Sequence, residues 1–117
     1  MKFVLLVYQG TTPIPGSDAW KALSEGEQKQ IYADYGEINK TAGLTPGLPL
    51  GLPQAAKTVR VRDGKTEVTS GPNLSEGVGG FSVYECESME AAITLAAKIP
   101  AARLGGAVEI RQAEKYW

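Results

Sequence analysis

Histidine is absent from this 117-residue chain. That removes the side chain that most often titrates near neutral pH, and the commonest metal ligand. A single cysteine, Cys86, excludes an internal disulfide and leaves only scattered oxygen ligands for a metal. The sequence therefore predicts neither a metal site nor a bound cofactor. A surplus of one charge sign is missing too. The net charge is −1, so no long-range field favours nucleic acid or an anionic membrane. The longest apolar run, Phe3 to Tyr8, is far too short to span a bilayer. No basic, apolar and small-residue sequence marks an export signal at the start. With one cysteine, this predicts a cytoplasmic setting. HExxH, CxxC, Walker and G-x-S-x-G motifs are all lacking. Gly77, Gly79 and Gly80 precede a strand pattern rather than a helix, so they are loop hinges and not a dinucleotide fingerprint.

What is present fits one globular domain over residues 1–117, with 43% hydrophobic and 21% charged residues. The most informative stretch runs from Thr58 to Glu85. In Thr58-Val59-Arg60-Val61-Arg62, period-two alternation sets the valines on one face and the arginines on the other. Asp63-Gly64 then signals a hairpin, because a type I′ turn needs φ > 0 at both central positions. A two-residue loop places Val59 opposite Val68 and Arg60 opposite Glu67. The apolar face is then buried, and an Arg60–Glu67 ion pair lies on the open one. A three-residue loop would shift that register. Ser70-Gly71-Pro72 ends the hairpin, and Phe81 to Tyr84 is a further strand.

Lys2 to Tyr8 is apolar without alternation, which predicts a central strand covered on both faces. Asp18 to Leu23 is a short helical turn, with Trp20 as a lid over the core edge. Ser24 and Glu27 form a capping box. Ile31, Tyr35, Ile38 and Ala42 make one helical stripe, so a helix is expected over 24–42, stopped by Gly43. The segment 43–57, GLTPGLPLGLPQAAK, is too rich in proline for a central strand or any helix. Its leucines predict an extended segment pressed against apolar surface, of the same chain or of another subunit. Ser88 caps a second helix, with Ala92, Leu95, Ala96 and Ile99 inward and Pro100 at its end. Residues 101–106 are a turn, and Ala107 to Arg111 is the last strand.

Antiparallel strands with two helices predict an α+β sheet covered on one face. The other face needs a partner, because strands apolar on both faces are not left in water.

The segments TVRVRDGKTEVTSGP, GGFSVYE and AAKIPAARLGGAVEIR, with the opening KFVLLVY, resemble the YCII-related family, in its Asp-Gly-Pro-Phe signature branch. The resemblance implies a ferredoxin-like fold whose sheets pair into a dimeric α+β barrel, with a cleft at each protomer. In the signature, Ser70 replaces the Asp and Asn73 the Phe, while Gly71 and Pro72 remain. Residues 73–78 are shorter than usual and lack the expected lysine. YciI-like members carry a His–Asp pair thought to be catalytic, and a chain without histidine cannot inherit it. Ser70 and Glu76 are the nearest surviving polar groups of the signature.

The candidate acids and bases are Asp34, Glu37, Glu76, Glu85 and Glu109. Glu109 stands out, because it alternates with Val108 and Ile110 and has Arg111 two residues on. It is either a functional carboxylate on the concave sheet face or half of a structural ion pair. Arg60 either binds an anionic ligand or pairs with Glu67. Tyr8 ends a central strand at the sheet rim, and Tyr35 lies on the helix stripe. Cys86 is a small buried hydrophobe. The predicted ligand site lies near Tyr8, Tyr35, Ser70 and Glu76, with Arg60 and Glu109 as further ligand-binding candidates.

Three functions fit. One is a homodimer that binds a small molecule without catalysis. The second is a cofactor-independent enzyme that uses carboxylate and tyrosine acid–base chemistry on a small polar or aromatic metabolite. The third is a regulatory module, since the resemblance implies relatives encoded beside extracytoplasmic-function sigma factors. Convergent Tyr, Arg and Glu favour the first two. A barrel mouth filled by Leu48, Leu50 and Leu52 favours the third.

Overall fold

The computed structural model describes residues 1–51, 53–71 and 77–116. Glu76, Leu52 and most of the signature, Pro72 and Asn73 included, lie outside the described residues. The fold is α+β. Its main sheet has the order β2-β5-β1-β6, built from β1 (Lys2–Tyr8), β2 (Leu44–Pro46), β5 (Val78–Glu85) and β6 (Ala107–Gln112). Every neighbouring pair is antiparallel, and β1 is internal as its continuous apolar run predicts. The remaining strands, β3 (Lys57–Arg62) and β4 (Lys65–Ser70), form a separate two-stranded sheet. Among the described residues, the strands do not close into a barrel.

Helices cover one face of the main sheet. They are α2 (Glu25–Asn39), α3 (Met89–Ala96) and α4 (Pro100–Arg103), and the short α1 (Asp18–Lys21) precedes α2. Phe3 and Leu5 are fully buried against Ile38, Ala92, Leu95, Ala96, Ile99 and Ala101. The alanines let α3 sit close to the sheet. Val108 and Ile110 of β6 and Tyr84 of β5 pack onto the same core.

The capping box of α2 is present: Ser24 Oγ accepts from the Glu27 amide at 3.1 Å, and Glu27 accepts from the Ser24 amide at 3.4 Å. The helix ends at Asn39, short of the predicted 42, so Ala42 lies in a turn and is exposed. Gly43 has φ +86°, and a Cβ there would sit 2.3 Å from the Glu85 carbonyl oxygen. This close approach turns the chain into β2. Trp20 is buried, with its ring edge-on to Tyr32 at 5.3 Å.

Gly79 and Gly80, expected as loop hinges, lie inside β5, and three further expectations need correction. First, the proline-rich segment does form regular structure. Leu44–Pro46 is an edge strand on β5, where a missing amide is tolerated. The amides of Gly47 and Leu50 then bond to Phe81 and Gly79 carbonyls, and Pro53–Ala55 makes one 3₁₀ turn. Leu48 is 80% exposed and Leu50 44%, so among the described residues the segment is only partly pressed against apolar surface. Second, Pro100 starts a helix. It occupies the first turn of α4, where its absent N–H has no partner to lose, and α3 has already ended at Ala96.

The third concerns the hairpin. Its register is that of the two-residue loop, Val59↔Val68 and Arg60↔Glu67, with φ +51° at Asp63 and +73° at Gly64. Yet the valine face is exposed rather than buried, because among the described residues the hairpin forms a sheet of its own. The cross-strand ion pair uses Arg62 and not Arg60: Arg62 Nε lies 3.7 Å from Glu67. The longer diagonal reach suits the twisted ribbon.

Among the described residues, no helix is long and apolar enough to cross a membrane.

Candidate functional site

Alternation decides which side chains of the sheet meet the helices. Phe3 and Leu5 point into the core, so Val4, Leu6 and Tyr8 point to the other face, uncovered among the described residues. Through the register, Phe81 pairs with Leu6 and Val83 with Val4 on one side. Glu109 pairs with Leu6 and Arg111 with Val4 on the other. The uncovered face thus has an apolar floor of Val4, Leu6, Phe81 and Val83. Tyr8, Glu109 and Arg111 share it.

Tyr8 and Glu109 are diagonal neighbours across β1 and β6, and the Tyr8 hydroxyl donates to Glu109 Oε2 at 3.0 Å. That hydrogen bond, then the carboxylate's negative charge, then slight desolvation raise the Tyr8 pKa above its ordinary value. At neutral pH the phenol keeps its proton and serves as a donor. Gly77 lies against the ring: a Cβ there would be 3.3 Å from Tyr8 Cδ1. The Gln9 amide donates to the Gly77 carbonyl at 2.7 Å, so the residue that follows the signature segment is tied to the end of β1.

The other candidates go elsewhere. Tyr35 packs against the core from the helix side, opposite to Tyr8. Burial raises its pKa, and the charge of Arg103 opposes that shift. The expected convergence of Tyr8 and Tyr35 therefore does not occur, because the sheet separates them. Arg60 and Ser70 lie on the hairpin, in a different sheet from Tyr8 and Glu109. Ser70 Oγ accepts from Lys57 Nζ at 2.7 Å, which closes the hairpin's root. Asp34 accepts from Gln30 and Arg103, which hold its carboxyl below the usual range. It clamps α2 to α4. Glu37 pairs with Lys40 at 3.8 Å, and Glu85 with the terminal amine at 3.4 Å. Cys86 is half-buried beside the core, its thiol donating to the Ser88 carbonyl at 3.3 Å.

A groove of about 330 Å³ runs through the helix layer, lined by Asp34, Glu37, Ile38, Thr41, Leu95 and Lys98. Of its polar residues, Asp34 and Glu37 are engaged in the pairs above. Among the described residues, no three Cys, Asp or Glu side chains gather as a metal-holding cluster.

The family model for the YCII-related domain matches residues 1–115. The chain belongs to the YCII-related family. No curated protein matches it. The YCII-related assignment covers the sheet, the helix layer and the hairpin alike.

Sequence reasoning singled out Tyr8 and Glu109 separately and missed that they touch. It also missed Phe81, whose place on the uncovered face follows from its pairing with Leu6. The signal was there as alternation in 78–85, where Gly80, Ser82 and Tyr84 face the helices.

Proposed function

We propose that this YCII-related protein is a homodimer that binds a small polar or aromatic molecule on the uncovered sheet face, at Tyr8 and Glu109. The observation that carries this reading is the 3.0 Å Tyr8–Glu109 hydrogen bond beside an apolar floor. Pockets for small molecules combine such a floor with a few fixed polar groups. Arg111, on the same face, adds a cation for an anionic substituent. The strand order β6-β1-β5-β2 with helices on one face is consistent with a ferredoxin-like fold. Pairing two uncovered faces would then build the barrel and supply the site's second wall. A cytoplasmic location suits this role.

A second reading has its own support in the same contact. Tyr8 is held protonated and Glu109 accepts its hydrogen bond, a pairing suited to cofactor-independent proton transfer, with Glu109 as base and Tyr8 as acid or polariser.

The test is a metabolite library screened by ligand-dependent rise in melting temperature, on the wild type, Tyr8→Phe and Glu109→Gln. A ligand that stabilises the wild type and loses at least about tenfold in affinity in both variants is expected. Equal shifts in all three proteins would overturn the site. Turnover of that ligand, abolished in Glu109→Gln, would select the enzyme.

A further inference from the structure

The β3–β4 hairpin stands apart from the rest of the molecule. Among the described residues its strands pair only with each other, in a sheet of two. Val59, Val61 and Val68 share one face, and they are 59%, 67% and 62% exposed. An isolated two-stranded hairpin is marginal in water and needs an apolar face to pack on. The surface and shape of the whole chain point the same way. Its accessible surface is 8136 Å², against about 6,100 Å² for a compact monomer of 12.4 kDa. Its radius of gyration is 16.4 Å, against about 13 Å for a compact chain of this length. The excess of about 2,000 Å² is the amount one protomer buries in an extensive obligate dimer.

We infer that the hairpin is an arm that lays its valine face on a second copy of this chain and holds the dimer together. The occupant is a second copy because the chain itself offers the complement. Leu48 and Leu50 stand 80% and 44% exposed at the proline-rich edge of the main sheet, along β5 and outside the face that would meet the partner's sheet. A twofold axis presents these surfaces to the partner's arm and the reverse, so both unmet faces are covered at once. The arm's polar face carries Arg60, Arg62, Lys65 and Glu67, and stays in solvent. The root of the arm is fixed: Lys57 bonds Ser70, and the Gly71 amide bonds the Ala56 carbonyl at 3.1 Å. The inference rests on the paired-sheet dimer only in taking the partner to be a second copy.

The test is sedimentation of the full chain over nanomolar to micromolar concentration, with amide exchange as a second readout. The triple variant Val59→Thr, Val61→Thr, Val68→Thr keeps strand preference and removes the apolar face. Its dimer dissociation constant should rise about 100-fold, with an unchanged circular dichroism spectrum. In the wild type, hairpin amides should exchange more slowly as the dimer forms. An unaltered dissociation constant, or hairpin amides indifferent to concentration, would overturn the arm. Phe81→Glu, placed on the main sheet, separates the two ideas. If it splits the dimer and the triple variant does not, the arm falls and the paired-sheet dimer stands. A wild type that stays a 12.4 kDa monomer would overturn both.

Discussion

Tyr8 is held as a donor. Its raised pKa comes first from the hydrogen bond to Glu109 and next from that carboxylate's charge. Glu109→Gln removes the charge and weakens the acceptor, so the Tyr8 phenol should titrate at lower pH than in the wild type. Ultraviolet titration checks this. The wild type should show two tyrosines, Tyr8 and Tyr35, titrating above the ordinary tyrosine range. Tyr8→Phe removes one of them and Tyr35→Phe the other. The linkage sign follows. A phenol that binds its proton more tightly when folded stabilises the fold below its unfolded pKa. That contribution is lost as pH rises through the folded pKa. Tyr35→Phe should leave both the Tyr8 titration and any ligand response unchanged, since a sheet lies between the rings. Tyr8 and Glu109 were each legible as candidates. Their meeting was not, because it depends on the β1–β6 register, between residues 101 positions apart. Tyr35 was misplaced for the same reason: a helical stripe says that a residue packs, but not on which side of the sheet a strand's tyrosine emerges.

At the level of the element, local signals were legible and non-local ones were not. The capping box, the Ser88 cap and the type I′ turn each depend on residues within a few positions, and all are present. Ser24→Ala should cost about 1 kcal/mol of stability by loss of the cap, read from chemical denaturation. The edge strand Leu44–Pro46 went unread because its hydrogen bonds belong to β5, far along the chain. The exposed valine face went unread because alternation reports which residues share a face, not whether anything covers it. That changes how the turn should be probed. Gly64→Val forces a β-branched residue to φ near +73° and should destabilise the hairpin by about 1 kcal/mol or more. Because, among the described residues, the hairpin pairs only with itself, the loss should appear locally. Amides in 57–70 should exchange roughly fivefold faster, while the α2 and α3 amides keep their protection. Equal acceleration everywhere would mean that the hairpin unfolds together with the core.

For the whole molecule, an antiparallel sheet with helices was legible from the order of strand and helix patterns, although the described residues form four helices where two were expected. The hydrophobic pattern of β1 already demanded a second cover, and the described residues supply one. If a second copy provides the other, folding and association are linked, and the melting temperature depends on concentration. Each tenfold rise in chain concentration should then add about 1.4 kcal/mol to the stability of the dimer, a shift of several degrees. Phe81 makes the test sharp. In the single chain it is 42% exposed, so Phe81→Glu should cost an isolated monomer little. Between two sheets the same change buries an unpaired carboxylate, which a dimer tolerates poorly. The expected result is a wild type whose melting temperature climbs with concentration and a Phe81→Glu chain whose melting temperature is flat and low. Both curves flat and superimposed would mean that the uncovered face meets water alone. The Tyr8–Glu109 site would then have a floor and no second wall.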